Sequence, residues 1–243
     1  MRCQLSRRAA SRTGRGLARP SVYGRPVPPL DDRVPAAWTA TAWLHEPGPP
    51  ASLGELESVE RTVGRRLPEA FRELYQRHDG GSWLGGDLSL MPLLSGDDLS
   101  VARASTVHRA WDWPVPDEVV IFGSDGCGDP LGLWLPGTGT ARPVVVKIGA
   151  IFEPGCMGIL GEDLNAFLRA WTAYHLLLPD RKVATAALNA LELPEYLRSD
   201  HPDDETFAQI LEWASPTVLR SMSDPYEARL TPADVHRIAA DVG

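Results

Sequence analysis

The segment Asp125-Gly126-Cys127-Gly128-Asp129 is where this sequence comes nearest to a reactive centre. A thiol with a carboxylate two residues away on either side has the ingredients of a nucleophile or a metal site. A cysteine nucleophile needs a base to form its thiolate, and a metal needs three or more converging ligands. His78 and His108 are the side chains that folding would have to bring to Cys127. The six histidines, at 45, 78, 108, 175, 201 and 236, show neither H-x-x-x-H nor H-E-x-x-H spacing. No serine sits in a G-x-S-x-G elbow, and no phosphate-cradling or dinucleotide glycine fingerprint follows a strand. The simpler reading is a turn, in which Gly126 and Gly128 accept positive φ angles and the aspartates bond turn amides. No catalytic residue, cofactor or metal ligand is therefore expected. A hydrolase built on Asp125, Cys127 and Asp129 is the minor alternative.

The same stretch is more informative as charge. Asp79, Asp87, Asp97, Asp98, Asp112, Asp117, Glu118, Asp125 and Asp129 face only two bases, Arg103 and Arg109, and are interleaved with Trp83, Trp111 and Trp113. A surface of that balance attracts a basic partner and repels nucleic acid, and tryptophan is a common interface anchor. The expected partner-binding residues are Asp87, Asp97, Asp98, Trp111, Asp112, Trp113, Asp117, Asp125 and Asp129. Association through them should weaken as salt rises.

These residues need a scaffold. Ser52 and Glu55 form an S-x-x-E capping box, and Leu53, Leu56, Val59 and Val63 follow at helical spacing. A second helix is expected from Pro68, burying Ala70, Phe71, Leu74 and Tyr75 and ending at Gly80-Gly81, with His78 complementing its last turn. Short extended runs follow at 83–84, 88–91, 119–122, 131–135 and 144–148, and a short helix is expected over 97–109. The connections are too brief for parallel crossovers, so the strands should be antiparallel. Leu164, Phe167, Leu168 and Trp171 mark a helix that closes the core. Residues 173–243 read as further helices, the last capped by Thr231 and burying Val235, Ile238 and Ala239.

Composition sets the outer bounds. The 243 residues, 43% hydrophobic, suit one large domain or one domain with an appendage. No apolar run approaches the roughly 18 residues of a membrane span, and three scattered cysteines argue against a disulfide framework, so a reducing cytoplasm is the expected setting. The formal charge is −8, unevenly spread. Seven of the 24 basic residues and none of the 32 acids fall within positions 1–30, which leaves 17 bases against 32 acids afterwards. Residues 1–50, rich in Arg and Pro, are expected to be a flexible tail, with Trp38, Trp43 and Leu44 as its docking anchors. The arginines hint at a transit or twin-arginine signal, but no apolar stretch follows them.

The string Leu67-Pro68-Glu69-Ala70-Phe71-Arg72-Glu73-Leu74-Tyr75, the Asp79-Gly80-Gly81 stop and the turn from Phe122 to Asp129 follow the two-helix start in one order. Together they resemble the SUKH superfamily, which includes bacterial toxin-immunity proteins and fungal cell-wall synthesis regulators. The resemblance spans roughly residues 51–172 and is carried by Leu67, Pro68, Phe71, Leu74, Tyr75, Gly80, Gly81, Gly123, Gly126 and Gly128. It implies an α+β fold, an antiparallel sheet packed against helices, here followed by a helical C-terminal extension over 173–243. It also implies a binding protein: an immunity protein that captures a cognate toxin domain stoichiometrically, a nuclease being one candidate. The alternative is an intracellular regulatory or scaffolding protein with a non-toxin client. The basic front and the helical end lie outside the shared module, and 149–161 is glycine-rich for a final strand.

Overall fold

The computed structural model describes residues 28–95, 99–107, 115–137, 142–148, 157–178, 185–219 and 230–242. Seven strands form one sheet in sequence order, each antiparallel to the next: β1 (Glu46–Pro47), β2 (Gly81–Trp83), β3 (Leu88–Leu90), β4 (Val119–Asp125), β5 (Pro130–Trp134), β6 (Val144–Ile148) and β7 (Met157–Gly161). The fold is α+β, as expected, and the sheet is a plain meander. Alternation along β4 shows how two cores arise from one strand. Val120 and Phe122 join a large helical core, while Val119 and Ile121 join a smaller core on the opposite face.

The large core is built against α2 (Leu53–Val63), α3 (Glu69–Arg77) and α5 (Leu164–Leu177). The capping box of α2 forms: the Glu55 amide donates to Ser52 Oγ and the Ser52 amide to Glu55 Oε2. Its buried stripe is Leu56, Val59 and Val63, whereas Leu53 is exposed. Pro68 directly precedes α3 instead of opening it, and Ala70, Phe71, Leu74 and Tyr75 face inward. The Phe71 ring stacks on Tyr75 at 4.5 Å and meets Phe122 edge-on at 6.1 Å, and Phe122 in turn meets Phe167. Tyr75 donates to the carbonyls of Met91 and Phe122, tying α3 to the sheet.

Three expectations are corrected here. First, α3 ends at His78 in extended conformation, and Gly80-Gly81 does not cap it. Gly81 leads into β2 at φ +119°, and a Cβ there would press on the Glu46 carbonyl and Pro47 of β1. Burial, with Arg77 nearby, keeps the His78 pKa below its ordinary value, which opposes the dipole-complementing charge. Second, the helix expected over 97–109, α4 (Val101–Val107), begins only at Val101, after the non-helical Leu99 and Ser100. Third, residues 30–47 are not a tail. They form α1 (Arg33–Ala40), a 3-10 turn and edge strand β1, with Leu30, Val34, Ala37 and Trp38 buried. Trp38 packs 4.1 Å from Trp83 and donates to Thr172. The prolines are compatible with these elements: Pro35 stands in the first turn of α1, where its missing amide costs nothing, and Pro47 stands on an edge strand. Of the expected anchors, Trp43 is exposed, Leu44 partly buried and Trp38 part of the core.

After α5 come α6 (Thr185–Ala190), α7 (Asp204–Ala214), α8 (Pro216–Leu219) and α9 (Pro232–Val242). Thr231 and Asp234 cap α9 reciprocally. Val235, Ile238 and Ala239 then cover the second sheet face, over Val144, Val146, Ile148 and Ile159. Among the described residues no helix is long and apolar enough to cross a membrane.

Candidate functional site

The β4–β5 turn is held from inside by its own first residue. Asp125 Oδ1 accepts from the amides of Cys127 and Asp129, each at 2.9 Å. Its other oxygen lies 2.6 Å from Lys147 Nζ, and Asp129 Oδ2 lies 2.9 Å from the same ammonium. Lys147 comes from β6, where Val144-Val145-Val146-Lys147-Ile148 places one cation in an otherwise apolar strand beside Leu131. Burial disfavours its charge, but the bonds to Asp125 and Asp129 outweigh that and raise the lysine pKa. Gly128 adopts φ +90° as the turn reading expects. Gly126 is not among the positive-φ glycines and instead lies close against Asp87.

This arrangement corrects the assignment of Asp125 and Asp129 to an exposed docking face. Both are buried, and both are bonded to Lys147, so they form a structural latch. A carboxylate so held is not a free base for Cys127, which lies exposed at the turn tip. His78 packs against the Trp83 ring at 5.0 Å, and His108 lies outside the described residues. Among the described residues no group of three or more His, Cys, Asp or Glu could hold a metal ion.

The other acids separate into different roles. Asp87 is half-buried beside the turn, with Oδ2 2.9 Å from His175 Nδ1 and its carbonyl accepting from Trp171 Nε1. Asp79 Oδ1 accepts from the Leu93 amide, and burial raises its pKa. Trp83 is in the core. Asp117 is exposed in the short loop before β4, while Asp97, Asp98, Trp111, Asp112 and Trp113 lie outside the described residues. Reasoning from sequence missed Lys147 and His175. Lys147 had a signal, being one of only two lysines in the chain and the polar member of a valine run. His175 had none, because its partner Asp87 is 88 positions away.

Compared with known families, residues 50–170 match the SMI1 / KNR4 family (SUKH-1). The chain belongs to that family. Its SUKH-1 domain contains the α2–α3 pair, the sheet from β2 to β7 and the start of α5, including the latched turn. The family includes immunity proteins and is generally a non-catalytic, protein-binding one. No curated protein matches the chain. In this protein α1 and β1 precede the SUKH-1 domain and complete its sheet and core, and α6 to α9 follow it.

Proposed function

We propose that the SUKH-1 domain makes this chain a cytoplasmic immunity protein, one that neutralises a cognate toxin domain by stoichiometric binding. The observation that carries the reading is membership of a family that includes immunity proteins. Chemistry at the turn is not required by it, since Asp125 and Asp129 are committed to Lys147. The surface proposed for capture is α4 with the acidic stretches that flank it in sequence: Asp97 and Asp98 before it, and Trp111, Asp112, Trp113 and Asp117 after it. Leu94, Leu99 and Val107 bring exposed apolar area to the same stretch. Apolar contacts inside an acidic rim suit a partner with lysines and arginines around its own binding cleft, as a nuclease has.

The deciding experiment is co-expression with a toxin encoded beside this chain. Lethality of the toxin alone should be relieved by the chain and restored by Asp112→Lys/Asp117→Lys. A toxin equally lethal with and without the chain would sink the immunity reading, and co-purification of a non-toxic client would favour the scaffolding alternative.

A further inference from the structure

The described surface also holds a charged feature of opposite sign to the acidic stretches. Residues 31–243 carry 17 bases against 32 acids. Four of those bases, Arg61, Arg65, Arg66 and Arg72, nevertheless line one open groove of about 570 Å³ where α2 turns into α3. We infer that this groove, which adjoins the proposed toxin-facing surface at Asp117, docks a short Asp/Glu-rich peptide segment.

The wiring of the arginines supports that ligand. Arg65 donates from Nε to the Asp117 carbonyl and from Nη1 to the Leu135 carbonyl. Arg61 donates from Nε to the Glu57 carbonyl of its own helix. Uncharged carbonyls orient a guanidinium without neutralising it, so the Arg61 charge stays available and little ordering entropy remains to be lost on binding. Arg65 is in addition ion-paired with Glu118, at a long 3.8 Å, which offsets part of its charge. Glu60 is already paired, its Oε1 accepting from both Arg72 Nη1 and the Leu67 amide. That leaves Glu57 as the remaining acid on the groove wall. The groove also includes Gly64, the left-handed cap of α2, where no atom lies within 4 Å of the missing Cβ, so a peptide backbone can come close.

Length decides between anions. Guanidinium forks match carboxylates and phosphates alike. A nucleic acid several turns long also meets the field of a chain with net charge −8, whereas a peptide of a few residues stays within the roughly 8–10 Å over which the local arginines act.

The test uses full-length chain with the seven arginines of residues 1–30 replaced by Gln, so that only the groove is read. A fluorescent glutamate tetrapeptide is titrated at about 0.1 M salt and followed by anisotropy, beside a DNA duplex of about three turns and inorganic phosphate. Expected is saturable binding of the peptide, tighter than of either comparison anion, weakened at least about tenfold by Arg61→Glu/Arg66→Glu with the urea midpoint unchanged. Should that variant lose stability, Arg61→Gln/Arg66→Gln decides, with an expected loss of several-fold. Peptide affinity indifferent to both pairs, or tighter binding of the duplex, overturns the inference.

Discussion

Lys147 carries the largest single-residue consequence. Its ammonium serves two buried carboxylates, and removing one member of a buried charge cluster leaves the others desolvated and unpaired. Lys147→Met is expected to lower stability by about 3–5 kcal/mol in urea unfolding. Adding Asp125→Asn and Asp129→Asn to it should recover a large part, because the stranded charges go too. A single variant as stable as the parent would show that the latch is idle. His78 gives a pH effect of definite sign. Its pKa is lowered in the fold by burial and by Arg77, so the folded state binds a proton less readily than the unfolded chain. Its contribution is present above the unfolded value of about 6.5 and is lost as pH falls through the folded one. The urea midpoint should therefore fall between about pH 7 and 5, and His78→Gln should flatten that slope. Exposed carboxylates held low by capping bonds, such as Asp203 and Asp234, act at more acidic pH.

At the scale of elements, α1 is the informative case. Val34, Ala37 and Trp38 recur at helical spacing and are buried on α5, α6 and the β2 end of the sheet. Trp38→Ala should cost about 3–5 kcal/mol, the usual range for deleting a large aromatic from a core. A dispensable tail predicts no change, so thermal unfolding of this variant separates the two. The helix was readable in principle, but the apolar triplet is short and framed by prolines whose tolerance depends on position. The capped helices were legible because their signals are local: Ser52 with Glu55, and Thr231 with Asp234, bond across three residues. The glycines after α3 read as a cap because glycine also marks helix ends. Only the pairing of β2 with β1 shows that Gly81 answers to close backbone approach.

On the whole molecule, the two-faced sheet makes the C-terminal helices part of the fold. α9 lies over a row of valines and isoleucines on β6 and β7, and Met157 pairs with Leu230 just before it. A chain ending at residue 229 should expose that row, bind a hydrophobic dye and self-associate, as measured by dye fluorescence and light scattering. A monomeric, dye-silent truncation would show that the face tolerates water.

Sequence alone was enough for the α+β class, the main strands, the buried faces of α2, α3, α5 and α9, and the family resemblance. Each of these depends on spacing along the chain or on a bond spanning a few residues. The fate of charge was decided by the tertiary structure. Asp125 and Asp129 look like surface acids until Lys147 arrives from β6, and Asp87 until His175 arrives from α5. A carboxylate's exposure depends on which distant cation the fold brings beside it, and composition cannot supply that partner.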